Sequence, residues 1–189
     1  EYLSAALQSL REQTYENYEV IVLDNASGPE AQSVLTEFVA NNANARILRV
    51  NERVPMFANF NRGIRAAVGE YVVFVHDDDH YDPRFLDAHV TVLEANPQAA
   101  FAGSNWNMIN GEGRVTVRRR LIRKTGTWNG RDFIERLVRR GRSELATPAL
   151  VFRREVVKTC GFDERCPIHW GDFTILMRIA EQWDVAVVA

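Results

Sequence analysis

The chain has 189 residues, 46% hydrophobic and 25% charged, with a formal net charge of -2 at pH 7. That length suits one domain burying about 70% of its unfolded surface, and the near-zero charge argues against a general nucleic-acid binder. Cys160 and Cys166 are too few for a disulfide framework and show no zinc-ligand spacing. They read as free thiols in a reducing compartment. No apolar run reaches bilayer length and no signal peptide is evident, so a cytoplasmic location is expected.

Leu3, Ala6, Leu7 and Leu10 fall at helical spacing, and Glu19 to Leu23 reads as a buried strand ending in the turn-rich Asp24-Asn25-Ala26-Ser27-Gly28. Pro29 suits the first turn of a helix that buries Ala31, Val34, Leu35, Phe38 and Val39. Arg46 to Val50 reads as a strand, and Asn59 to Val68 as a helix stopped by Gly69. The run Tyr71 to Val75 is too short for a helix and predicts a buried strand. It ends in three carboxylates, Asp77, Asp78 and Asp79. Like charges so close together need a positive partner, and carboxylate oxygen is what Mg²⁺ or Mn²⁺ prefers. A solvated acidic turn ahead of a helix is the alternative.

Asp82 and Pro83 read as cap and first residue of a helix whose buried face is Phe85, Leu86, His89, Val90 and Leu93. Ala99 to Trp106 predicts a strand, Gly111 to Gly113 a turn, and Arg114 to Ile122 a strand with alternating basic residues. Asn129 caps a helix through Arg140. Ala149 to Phe152 is a strand, Arg154 to Thr159 a short helix, and Asp172 to Gln182 a helix. The chain opens at Glu1-Tyr2-Leu3 inside a helical pattern and stops at Val185 to Ala189 inside a strand pattern, as a domain trimmed at both ends would. Strand alternating with helix over short connections predicts an α/β fold with a largely parallel sheet covered on both faces. Ligands then sit beyond the carboxyl ends of the strands. Two strands ending in acids, at Asp24 and at Asp77 to Asp79, point to that edge.

Together the segments resemble family 2 glycosyltransferases of the GT-A fold, a Rossmann-like α/β/α sandwich with a mostly parallel central sheet. Ser9 to Tyr15 followed by Tyr18 to Ser27 is similar to that family's S-L-x-x-Q-T-Y and E-I-I-V-V-D-D-G-S segments. Asn59 to Ile64, then Ala67 and Gly69 to Tyr71, resembles its N-x-G-I-x-x-A-x-G-E-Y stretch. The acidic triplet with Pro83 resembles its D-x-D signature, and Gly161-Phe162-Asp163-Glu164 with Gly171-Asp172 and Arg178 its G-F-D-E and E-D-x-D-L-x-x-R segments. The resemblance implies that Asp24 meets the nucleotide base. It also implies that Asp77 and Asp78 hold the ribose and a diphosphate-bound metal. Asp78 and Asp79 are then the metal ligands, Asn25 and Asn61 join the donor-binding set, and Asp172 is the catalytic base.

The implied reaction is transfer of a sugar from a UDP- or dTDP-sugar, with Mn²⁺ or Mg²⁺, to a hydroxyl of a glycan or lipid-linked acceptor in cell-envelope polysaccharide biosynthesis, with inversion. The implied setting is the cytoplasm, with peripheral contact at the inner membrane surface. Five positions depart from the pattern. His76 stands at the first acid of D-x-D, Asn25 at the second acid of D-D, Phe60 at a frequent arginine, Gly171 at the glutamate before the base, and Thr174 at the acid after it. The first strand of the fold has no counterpart. Two rival readings are a metal-dependent nucleotidyl- or phosphotransferase, against which stands the lack of a G-x-x-x-x-G-K-S/T loop, and a non-catalytic scaffold of the same fold. The histidines His76, His80 and His169 fit no zinc spacing. His169-Trp170 beside Asp172 suits stacking on a sugar ring. The basic residues Arg118, Arg119, Arg120, Arg123 and Lys124, with Arg139, Arg140 and Arg142, suit either a solvated face or an anionic acceptor or membrane surface.

Overall fold

The computed structural model describes residues 2–141 and 143–189, so Glu1 and Arg142 lie outside the described residues. The first half alternates helix and strand: α1 (Tyr2–Arg11), β1 (Val20–Asn25), α2 (Pro29–Ala40), β2 (Ala45–Val50), α3 (Met56–Ala66), β3 (Tyr71–Val73) and α4 (Phe85–Ala95). Four strands follow in succession, β4 (Ala99–Ser104), β5 (Trp106–Ile109), β6 (Val115–Arg119) and β7 (Gly126–Trp128). The chain ends through α5 (Gly130–Arg140), β8 (Leu150–Arg153), α6 (Arg154–Cys160), α7 (Gly171–Ala180) and β9 (Asp184–Val188).

The two-residue period of the strands sorts their side chains into two cores. Leu150 and Phe152 of β8 and Val185 and Val187 of β9 face α3, α5, α6 and α7. The alternate residues Val151 and Ala186 face Leu93 of α4. A bulge between Ala99 and Phe101 shifts β4, so Ala100 and Phe101 both join the larger core while Ala102 joins α4. A third cluster joins Leu7 of α1 to Leu35 and Phe38 of α2 over Val20, Val22 and Ile47. The result is three layers, helix, sheet and helix.

The pairing is mixed rather than largely parallel. The central sheet runs β3-β8-β4-β9-β7 and a separate pair is β1-β2. Only β1–β2 and β4–β9 are parallel among the described strands; β8 runs antiparallel between β3 and β4, and β7 antiparallel to β9. Helix-strand alternation does predict parallel pairing, but β7 is entered from the strand β6 without a helix and runs against β9, and β8, reached from β7 through α5, keeps that reversed direction between β3 and β4.

Two boundaries also moved for identifiable reasons. The helix after the acidic run starts at Phe85, not Pro83, and Asp82 Oδ1 accepts from Arg84 within the preceding turn, from its amide at 2.9 Å and from Nε at 3.5 Å. The cap comes instead from the segment just after α1: Gln13 donates to the Asp82 carbonyl at 2.8 Å and accepts from the Leu86 amide at 3.0 Å. This satisfies a first-turn donor from a distant part of the chain. The strand expected through Trp106 breaks at Asn105, whose side chain both donates to and accepts from the Ile122 backbone.

His89 of α4 is 1% exposed and its Nδ1 lies 2.7 Å from the Phe85 carbonyl. Burial pushes its pKa down from 6.5 to about 4, against the opposing pull of the backbone carbonyls at Phe85 and Ala149. The unfolded chain therefore takes up this proton first as pH falls. Stability is expected to be complete above about pH 6.5 and to fall by on the order of 3 kcal/mol as pH drops to about 4. Urea unfolding of the wild type and of His89→Leu across this window checks it. The leucine variant should lose most of the slope, and an unchanged slope would assign it to other groups.

Candidate active site

The acidic residues share one edge. The Val68 amide donates to Glu19 Oε1 at 2.8 Å, which brings the start of β1 and the approach to β3 to the same end of the molecule. β3 and β4 point the same way because each is antiparallel to β8, and β9 is parallel to β4. Asp24 and the run Asp77 to Asp79 thus leave the carboxyl ends of their strands together, where α/β sheets place ligands.

At the first position Asp24 is buried, its side chain 0% exposed, and Arg49 Nε donates to Oδ2 at 2.6 Å. The Ser27 amide donates to Oδ1 at 2.9 Å. Burial pushes the Asp24 carboxyl up, but Ser27 and the Arg49 guanidinium outweigh it and hold the acid below the usual carboxylate range. Asp24 and Arg49 are register partners at the ends of parallel β1 and β2. Arg49 is the site residue that the sequence reading missed; its signal was a charge of opposite sign at the end of the next parallel strand. Asn25 spends both ends of its amide on the Val54 backbone, at 2.9 Å each, and so fixes the loop ahead of α3.

At the second position the turn after β3 folds back on itself. One ligand atom from each of His76, Asp78 and Asp79 lies within 4.8 Å of the others. Asp77 is exposed and outside this group. His76 Nδ1 stands 3.7 Å from Asp79 Oδ2. Burial pushes the Asp79 carboxyl up, a rise that His76 opposes and that Asp78 and Asp77 reinforce. Tyr81 is held un-ionised by burial, with Asp79 adding to the effect. Donor atoms bound to one octahedral ion at about 2.1 Å lie at most about 4.2 Å apart, so a small adjustment would let the three share a divalent cation. The imidazole nitrogen beside two carboxylates favours Mn²⁺ over Mg²⁺, for which an all-oxygen shell is the better match.

An aromatic wedge joins this turn to the third position. Phe60 of α3 lies over His76 with centroids 6.2 Å apart and planes 26° apart, and against Phe74 at 4.9 Å. Phe162 stacks on Phe57 at 5.3 Å and meets Phe60 and Phe74 edge-on. Phe57 in turn fills the space in front of Gly171, where an added Cβ would sit 1.8 Å from its ring. Gly171 opens α7, whose N-cap residue Trp170 makes no side-chain cap bond, and Asp172 follows half-buried in its first turn. Thr174 donates to the Gly171 carbonyl at 3.0 Å. Trp170 is 52% exposed and edge-on to Phe173, leaving its ring open beside Asp172; His169 is exposed too.

Asn61 sits elsewhere in the arrangement. Its amide donates to the Phe162 carbonyl and Glu164 Oε1 and accepts from the Phe162 amide, so it fastens α3 to the turn that carries Phe162. The basic residues divide. Arg136 and Arg140 pair with the buried Glu144, and Arg139 with Glu135, so α5 offers little free charge there. Arg118, Arg123 and Lys124 make no ion pair among the described residues.

Comparison with known proteins gives a consistent result. A family model described as Glycosyl transferase family 2 matches residues 1–161. "Uncharacterized glycosyltransferase YibD" of Escherichia coli (strain K12) is 27% identical over 153 residues, covering 80% of this chain and 44% of that protein. "Putative glycosyltransferase EpsH" of Bacillus subtilis (strain 168) is 29% identical over 86 residues, covering 46% of this chain and 25% of that one. The chain therefore spans less than half the length of these relatives. Among solved structures, S. aureus TarS in complex with UDP superposes with a TM-score of 0.80 at 19% identity, over 99% of this chain and 54% of that one. The mannosyltransferase PcManGT from Pyrobaculum calidifontis, in complex with GDP-Man and Mn²⁺, gives 0.69 at 20% identity, over 100% and 53%. At that identity the likeness speaks to the fold.

The Phe57–Gly171 contact leaves no room for a side chain. Gly171→Ala is expected to destabilise by about 1–3 kcal/mol through overpacking, and Gly171→Glu by more. Phe57→Leu in the Gly171→Ala background should restore part of the loss. Urea midpoints measure both, and a Gly171→Ala protein as stable as wild type would remove this contact from the argument.

Proposed function

The chain belongs to glycosyl transferase family 2, and from that we propose that it transfers a sugar from a nucleoside-diphosphate donor to an acceptor hydroxyl with inversion, using a divalent cation. The observation that carries this is the convergence of His76, Asp78 and Asp79 on the same strand-end edge as Asp24. Donor complexes of the fold neighbours support it: UDP in TarS, GDP-Man with Mn²⁺ in PcManGT.

In this reading Asp24, steadied by Arg49 and Ser27, meets the nucleotide base, and Asn25 shapes the loop above it. Asp77 faces the ribose. His76, Asp78 and Asp79 would hold Mn²⁺ or Mg²⁺, which when bound neutralises charge on the departing diphosphate. Asn61 acts on the donor side through the turn it fastens rather than by direct contact. Asp172 accepts the proton of the acceptor hydroxyl as its oxygen attacks the anomeric carbon. The new glycosidic C–O bond forms while the bond to the diphosphate oxygen breaks, and the electron pair leaves with the nucleoside diphosphate. The open ring of Trp170 beside Asp172 provides a stacking surface for an acceptor sugar. The donor is a UDP- or dTDP-sugar. The acceptor is a glycan or lipid-linked intermediate of cell-envelope polysaccharide, met in the cytoplasm at the inner membrane face. No helix among the described residues is long and apolar enough to cross a membrane.

Saturating UDP with Mn²⁺ is expected to raise the melting temperature by about 5–10 °C, as a ligand near a hundredfold its Kd does for a domain of this size. Asp78→Ala should abolish the rise. A metal-independent shift of equal size would argue against the cation. Asp172→Asn is expected to keep that shift and lose about 10²- to 10⁴-fold in transfer rate, read from sugar release or product formation in the full-length protein. Normal turnover in this variant would disprove the base assignment.

A further inference from the structure

We propose that the β5–β6 hairpin and the basic strand-to-strand segment after it form a docking surface for an anionic lipid bilayer, set at the rim of the catalytic edge. The hairpin leaves the chain at the carboxyl end of β4 and returns at the start of β7, which runs antiparallel to β9. Both ends of this excursion are therefore anchored at the edge that carries Asp24 and Asp77 to Asp79.

Its base is built rather than loose. Asn105 clamps the Ile122 backbone through both amide groups, at 2.9 and 3.0 Å. Arg119 lies over the Trp106 ring at 5.7 Å, and these two are register partners. Beyond that base the surface changes character. Between positions 114 and 124 stand Arg114, Arg118, Arg119, Arg120, Arg123 and Lys124, and no acid, in a chain whose formal net charge is -2. Among the described residues Arg114 meets Glu112 and Arg119 covers Trp106, while Arg118, Arg123 and Lys124 have no ion-pair partner. By contrast, the arginines of β2 and α5 are largely spent on Glu19, Asp24, Glu135 and Glu144.

The cations are interleaved with exposed aliphatic side chains. Met108 is 48% exposed, Ile109 39%, Val115 43% and Leu121 39%. Met108 pairs with Val117 and Ile109 with Val115 across the hairpin, on either side of a bulge, so each exposed aliphatic group has an apolar neighbour on the opposite strand. Basic charge alone would fit a soluble polyanion equally well. Aliphatic groups exposed among those charges gain nothing from a hydrated phosphate chain, but they do gain from insertion at the headgroup boundary. That combination favours the bilayer. The inference rests on the peripheral-membrane part of the proposed function and not on the transfer chemistry.

Co-sedimentation with phosphatidylcholine vesicles, with and without phosphatidylglycerol, tests it without donor or metal. Binding is expected only to the anionic vesicles, and weaker as salt rises. Each cation near the surface is worth about fivefold, so Arg118→Glu with Arg120→Glu should cut binding by at least about tenfold. Arg123→Glu with Lys124→Glu, placed outside the strands, repeats the test should the first pair disturb the hairpin. Met108→Ser with Ile109→Ser should also weaken vesicle binding at fixed salt. Equal binding to neutral and anionic vesicles would overturn the proposal. So would binding to soluble polyphosphate, but not to vesicles, that the serine pair leaves unchanged. The UDP-dependent melting shift should survive in every variant, so its loss would point to a failure of the donor-site reading instead.

Discussion

Four phenylalanines hold the site together. Phe57 and Phe60 come from α3, Phe74 from the end of β3, and Phe162 from the turn before α7. Aromatic pairs at these separations contribute about 0.5–1.5 kcal/mol each beyond their buried area. They also fix a distance: one end of the wedge touches His76 and the other fills the space before Gly171. Polar groups at the two ends of a catalytic site cannot set their own separation, because water competes for each of them. An apolar wedge that water cannot enter can.

The wedge also accounts for three positions at which the sequence departs from the pattern it resembles. His76, Phe60 and Gly171 looked like independent losses of polar groups. In the structure His76 stacks on Phe60, Phe60 packs on Phe57, and Phe57 occupies the space a side chain at Gly171 would need. The changes belong to one packing solution. The histidine keeps a ring nitrogen that could ligate a metal beside Asp78 and Asp79 while its flat face joins the apolar cluster. A carboxylate in its place would leave Phe60 without that stacked partner.

Charge is handled in two ways within one molecule. Where an acid is buried, as at Asp24 and Glu144, an arginine answers it directly. In the turn after β3 no arginine does among the described residues, and three acids crowd together with the imidazoles of His76 and His80 nearby. Like charges this close repel one another, and the half-buried Asp79 carboxyl is pushed up by burial and by Asp78 and Asp77, so the contrast marks that turn as a place where a cation from outside belongs. The hairpin beyond β4 is the reverse case, with cations exposed and unanswered among aliphatic side chains.

The amino-acid order by itself determined most of the elements, since period-two and helical patterns of apolar residues report which face is buried regardless of what buries it. It also placed two strand-end acid clusters at one edge, and the buried face of α4 through His89, Val90 and Leu93. It could not decide strand direction at β7 and β8, because an apolar strand reads the same forwards and backwards and its neighbours are set by long-range pairing. Nor could it see that Gln13, some seventy residues away, caps α4, or that Arg49 answers Asp24 across a strand pair. Nor could it see that the Asn61 amide braces α3 against the turn carrying Phe162, because what an amide bonds to depends on which turn folds against it. The acidic triplet shows the division most plainly. The residue order put three carboxylates after one strand, and only the folded turn brought Asp78 and Asp79 close to His76 and left Asp77 outside that group.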